Sequence, residues 1–124
     1  PLVLLVEDEA ALREGLTMLL TDWGCRVIAA ASGHEALELL SWADAEPALL
    51  IIDKRLADGE DGLDTILALR AEVVADIPAV LLTGDIYQFE RAGGIENMTV
   101  LAKPADATQL HAILLETVAP SRRT

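Results

Sequence analysis

The sequence predicts an α/β fold: a three-layer, doubly wound parallel sheet built from five strand–helix units. Three observations carry that prediction. Five short apolar segments alternate along the chain with five segments of helical periodicity. Two of the apolar segments, Leu2–Val6 and Leu49–Ile52, are unbroken runs of the kind found in strands buried on both faces. Two helical segments open on capping-box patterns, Ser32-Gly33-His34-Glu35 and Asp106-Ala107-Thr108-Gln109. Strict alternation makes each helix a crossover, so the strands pair in parallel and helices cover both faces.

In order, the expected strands are Leu2–Val6, Arg26–Ala30, Leu49–Asp53, Ala79–Thr83 and Met98–Ala102. Leu12, Leu16, Leu19 and Leu20 recur at helical spacing after the first. After the second, the helix opened by Ser32 runs through Leu37 and Leu40. Leu63, Ile66, Leu67 and Arg70 mark the third helix, with Gly62 at its start. A short fourth helix is expected at about Tyr87 to Ala92, before Gly93-Gly94. The fifth turns Leu110, Ile113, Leu114 and Val118 inward.

At 124 residues the chain suits one domain with a full core, and 52% apolar content excludes a disordered segment. Twenty-one acids against nine bases leave a net charge of −12. That balance excludes nucleic acid or an anionic membrane as an electrostatic partner of this domain, and favours proteins or cations. Cys25 stands alone, so there is no internal disulfide and no cysteine metal site; a reducing, cytoplasmic setting fits. The domain is expected to span 1–119, with 120–124 a tail or linker. The absent initiator methionine suggests a piece of a longer protein.

One junction needs explanation. The apolar run Ala48–Ile52 ends directly in Asp53, where an ionised carboxylate is costly without compensation. Ligands of open parallel sheets bind beyond the carboxyl ends of the strands. Those ends carry Glu7-Asp8, Asp53, Thr83-Gly84-Asp85 and Lys103-Pro104. Clustered carboxylates raise one another's pKa unless a cation sits among them, and oxygen ligands without histidine or cysteine suit Mg²⁺. A carboxylate so placed can also attack phosphorus, with a lysine, a hydroxyl and Mg²⁺ stabilising the transferring group. Singly, each of these features has a plainer explanation as a helix N-terminal acid or a turn. Together, at the ends of four strands, they favour a site.

The motifs LLVEDE, LLIIDKRL, AVLLTGD and VLAKP, in that order, resemble the receiver domains of two-component response regulators over essentially the whole chain. The resemblance implies the strand order 2-1-3-4-5 of the flavodoxin-like, receiver-type sheet. It makes Asp53 the phosphoacceptor, and Glu7 with Asp8 and Asp53 the Mg²⁺ ligands, together with the backbone carbonyl of Arg55. Thr83 would offer its hydroxyl and Lys103 its ammonium to the phosphoryl group, and Lys103-Pro104 would be a cis peptide. The partner implied is a histidine kinase or histidine phosphotransfer domain, docking on Ala11, Gly15 and Pro104. Slow self-hydrolysis of the acyl phosphate is implied as well.

Three positions depart from the family pattern. Ala57 stands where proline is usual, the loop to Gly62 is one residue longer, and Val100 replaces the aromatic residue of the switch. The long loop resembles receivers fused to hybrid sensor histidine kinases, the parentage expected here; a stand-alone regulator is the alternative. A haloacid-dehalogenase-like phosphatase also uses an aspartate after a strand, but needs a second one where Arg55 stands. The intact set of polar residues argues against a degenerate receiver serving only as a binding module. His34 and His111 are expected to face solvent, and Trp23 and Trp42 to pack at helix edges, with a share in a partner surface as the alternative.

Overall fold

The computed structural model describes residues 1–85 and 95–118. The expected fourth helix and the tail 120–124 lie outside the described residues, as does the side chain of Val118. Five strands form with the expected bounds: β1 (Leu2–Val6), β2 (Arg26–Ala30), β3 (Leu49–Asp53), β4 (Ala79–Thr83) and β5 (Met98–Ala102). They make one parallel sheet in the order β2-β1-β3-β4-β5. Among the described residues the helices are α1 (Ala10–Asp22), α2 (Gly33–Ser41), α3 (Gly62–Val73) and α4 (Ala107–Val118).

Burial follows from this order. The three inner strands β1, β3 and β4 are buried at every position, whereas the edge strands β2 and β5 are only partly covered. Successive side chains point to opposite faces, and the strands therefore feed two cores. Leu4, Val6, Leu50, Ile52 and Leu81 pack with Ala36 and Leu40 of α2 and with Ile66 and Leu69 of α3. Val3, Leu5, Ile51, Val80 and Leu82 pack with Leu20 of α1 and with Leu110 and Leu114 of α4. These two cores, one on each side of the sheet, are the three layers.

Both expected caps form, but neither closes the reciprocal half of a capping box, since among the described residues no bond runs from the Glu35 or Gln109 side chain to the cap residue's own N–H. Ser32 Oγ accepts from Glu35 N–H at 3.1 Å, while Glu35 Oε1 reaches past Ser32 to accept from Ala31 N–H at 2.7 Å. Asp106 Oδ1 accepts from Thr108 N–H at 2.8 Å and Gln109 N–H at 3.2 Å. Both pairings satisfy donors that the first helical turn leaves free.

Several expectations need correction. Leu12 and Leu67 lie at the surface, each on the outer flank of a helix whose buried stripe is narrower than its leucine content. Trp42 follows α2 and is 82% exposed, so it packs against no edge. His111 is half-buried rather than solvent-facing: its ring stacks on Trp23 with centroids 4.3 Å apart, which joins α4 to the end of α1. His34 is exposed as expected.

Arg70 is the least expected core residue. Its guanidinium donates to the carbonyls of Ile77 at 2.9 Å, Glu96 at 3.0 Å and Asn97 at 2.8 Å, and lies 3.2 Å from Asp76. It thereby ties α3 to the loops that start β4 and β5. Arg70→Met should lower stability by about 2–3 kcal/mol, because carbonyls lose a charged donor where water reaches them poorly. Arg26→Met, which removes an exposed pair with Asp44, should leave the urea midpoint nearly unchanged. Equal midpoints for the two variants would contradict this account of Arg70.

Candidate functional site

The parallel ladder continues one residue beyond several strands and sets the site's floor. Glu7 N–H donates to Ala30 O at 3.0 Å, Lys54 N–H to Leu82 O at 2.8 Å and Lys103 N–H to Thr83 O at 2.8 Å. Register places Asp53 beside Leu82 and Thr83 beside Ala102. The side chains at these strand ends are thus held by the sheet itself.

Glu7, Asp8 and Asp53 each present a carboxylate oxygen within 4.8 Å of the others. Glu7 and Asp53 are buried, at 1% and 4% exposure, while Asp8 is exposed. Lys103 Nζ donates to Asp53 Oδ2 at 2.9 Å and lies 3.4 Å from Glu7 Oε1. That second contact is an ion pair without hydrogen-bond geometry: Glu7 Oε1 is buried and has no hydrogen-bond partner among the described residues. The other oxygen, Oε2, accepts from Glu9 N–H at 3.1 Å.

Burial pushes the Glu7 carboxyl up to about 7; the Asp53 carboxylate adds to the rise, while Glu9 N–H and Lys103 oppose it. Partial burial disfavours the Lys103 ammonium, but Asp53 and Glu7 outweigh it and hold the pKa above the ordinary lysine value. The two buried carboxylates thus share one lysine, with the exposed Asp8 beside them.

Arg55 is exposed, and its N–H donates to Asp53 Oδ1 at 3.3 Å. Thr83 is buried at the end of β4, where its Oγ1 accepts from Asp85 N–H at 3.1 Å. The Lys103–Pro104 bond is cis. Ala11, Gly15 and Pro104 are all exposed, and Val100 is half-buried.

The loop after Asp53 is closed on itself. Leu56 N–H donates to Glu60 O at 3.1 Å and Gly62 N–H to Lys54 O at 2.8 Å. Asp58 and Gly59 take left-handed conformations, with φ of 61° and 75°. Lys54 Nζ pairs with Asp61 Oδ2 at 2.8 Å, and Asp61 caps α3 through Leu63 N–H at 2.8 Å. Burial works against the Asp61 carboxylate, but Lys54 and that N–H hold it below the usual range. Glu60 Oε1 accepts from Gly33 N–H at 2.8 Å, tying the loop to the start of α2. No sequence pattern announces this link, nor the role of Arg13, whose Nη1 donates to Glu7 O at 2.9 Å and lies 3.4 Å from Asp8 O.

Residues 3–115 match the family described as the response regulator receiver domain. The chain belongs to that family. Among receivers of known structure, one from Sinorhizobium medicae superposes with a TM-score of 0.80 at 28% identity, covering 94% of this chain and 92% of that one. The receiver of sensor histidine kinase PA1611 from Pseudomonas aeruginosa, with magnesium coordinated in its active-site cleft, gives 0.77 at 26%, covering 95% and 97%. The transcriptional regulatory protein AfsQ1 of Streptomyces coelicolor is 35% identical over 97 residues, 78% of this chain. Those residues make up 41% of AfsQ1.

Gly62 is required where the loop returns to the site. A Cβ there would collide with the carbonyl oxygen of Asp53 and stand 2.9 Å from Leu81 Cδ1. Gly62→Ala should cost about 1–3 kcal/mol in urea unfolding, since backbone must move to admit it. Gly15, in α1, has open space around it, so Gly15→Ala should instead stabilise by about 0.5–1 kcal/mol. A neutral Gly62→Ala would contradict the close approach of loop and strand.

Proposed function

We propose that this receiver is a Mg²⁺-dependent phosphoacceptor in which Asp53 takes a phosphoryl group from a phosphohistidine on a histidine kinase or phosphotransfer domain. The observation that carries the reading is the convergence of the Glu7, Asp8 and Asp53 carboxylates on one another, with Lys103 Nζ 2.9 Å from Asp53.

The residues fit a hard divalent cation. All the donors are oxygen, and Glu7 Oε1 is buried with no hydrogen-bond partner among the described residues. Asp8 and Asp53 would hold Mg²⁺ directly, with Glu7 acting through water and Arg55 offering its carbonyl. When bound, the ion supplies positive charge against the phosphoryl oxygens.

The chain's own groups do the rest. An Asp53 carboxylate oxygen attacks phosphorus; the O–P bond forms as the P–N bond breaks, and the donor imidazole keeps the electron pair. Lys103 holds Asp53 in place beforehand and then neutralises a phosphoryl oxygen. Thr83 donates its hydroxyl to another. With Val100 in place of an aromatic ring, no ring swings in response.

The wider reading is that 1–119 form the receiver unit and 120–124 a tail or linker, in a cytoplasmic protein. The histidine-bearing partner docks over exposed Ala11, Gly15 and Pro104. The domain itself engages neither nucleic acid nor membrane, a reading supported by its charge of −12 and by the lack, among the described residues, of a helix long and apolar enough to cross a bilayer. The loop form and Val100 favour a hybrid sensor histidine kinase as parent over a stand-alone regulator.

Labelling with acetyl phosphate and Mg²⁺ tests the proposal. Wild-type protein should incorporate phosphate at Asp53, and Asp53→Asn should incorporate none while keeping its fold. Phosphate mapped to another residue in that variant would refute the assignment. Parentage is read separately, by phosphotransfer from a kinase core encoded in the same chain; an effector domain downstream instead would overturn it.

A further inference from the structure

Arg13 lies in the second turn of α1, in a chain with more than twice as many acids as bases. Its guanidinium nevertheless makes no ion pair among the described residues. It folds back over the start of its own helix, where Nη1 donates to Glu7 O at 2.9 Å and lies 3.4 Å from Asp8 O. Two successive carbonyls of the acidic pair thus face one cation.

The surrounding bonds show what that contact completes. Glu7 N–H is fixed to Ala30 O at 3.0 Å, and Glu7 Oε2 accepts from Glu9 N–H at 3.1 Å. With Glu7 O held by Arg13, only Oε1 of this residue is left without a hydrogen bond among the described residues, 3.4 Å from Lys103 Nζ. Arg13 is itself anchored, its N–H donating to Glu9 O at 2.9 Å and its carbonyl accepting from Thr17 Oγ1 at 2.7 Å. The planes of the Glu7–Asp8 and Asp8–Glu9 peptides set where the Asp8 side chain leaves the backbone, and the guanidinium holds both.

We propose that Arg13 is a positioning residue for the cation site, acting through the carbonyls of Glu7 and Asp8 to hold their carboxylates toward Asp53. The inference rests on the Mg²⁺ reading above. Outer residues that orient metal ligands typically change affinity by about 10–100-fold when removed. A rival explanation has the opposite sign. If Arg13 were merely a nearby positive charge, it would repel a cation, and its removal would tighten binding.

The test is a Mg²⁺ titration, followed by calorimetry and amide NMR, of wild type, Arg13→Gln and Arg13→Lys. Arg13→Gln should bind Mg²⁺ about ten-fold more weakly, and Arg13→Lys, whose ammonium can still donate to Glu7 O, within about three-fold of wild type. The Glu9 amide resonance in the metal-free protein should move in the glutamine variant and stay in the lysine variant. It reports the same loop geometry even if a variant is too weak to titrate. Unchanged or tighter binding by Arg13→Gln, or an equal loss in both variants, would overturn the inference alone. A wild-type protein that binds no Mg²⁺ would instead contradict the proposed function on which it rests.

Discussion

Crowded negative charge at one edge of the sheet is the constraint on which the rest of this structure depends. Glu7 and Asp53 sit almost out of water, Asp8 stands beside them, and Lys103 is the one cation paired with the group among the described residues. Carboxylates so placed repel one another, and burial raises the cost of ionising Glu7. The rise of Glu7 to about 7 is that cost expressed as proton affinity. The site therefore gains from a further positive charge, which the proposed phosphoryl transfer to Asp53 would use.

Holding such a cluster needs a stiff support. The fully buried strands β1 and β3 provide it, because their apolar side chains leave nothing to rearrange beneath Glu7 and Asp53. β5 contributes differently. It is an edge strand, and its ladder contact through Lys103 N–H fixes only the backbone, leaving a long side chain to reach across β4 to Asp53. Asp53 is thus held by the sheet while its lysine partner is adjustable, which suits the role proposed for Lys103, first against Asp53 and then against a phosphoryl oxygen.

Much of this was legible in the sequence. Unbroken runs such as Leu49–Ile52 read as central strands because burial on both faces leaves no polar period, and the residues after each strand marked the site's edge. What escaped was set by contacts without a sequence signature. Arg13 and Arg70 both bind backbone carbonyls, which every residue has, so no partner residue type announces them. The stacking of His111 on Trp23 needed the relative placement of α1 and α4, and helical periodicity reports a face but not what lies beside it. Trp42 failed in the other direction: its size suggested packing, but α2 ends before it and it stands 82% exposed. The Glu60–Gly33 link joins the loop after β3 to the start of α2, a proximity that only the sheet order creates.

The central claim, that the cluster is under-compensated and takes a divalent cation in the folded state, is tested most directly by urea unfolding at fixed ionic strength with and without Mg²⁺. A cation bound only by the folded protein raises stability by RT ln(1 + [L]/Kd), about 2.7 kcal/mol at a hundred times Kd. The account predicts a rise that grows with the logarithm of Mg²⁺ concentration and disappears in Asp8→Ala. A midpoint that moves no further with Mg²⁺ than with a monovalent salt of equal ionic strength would contradict it.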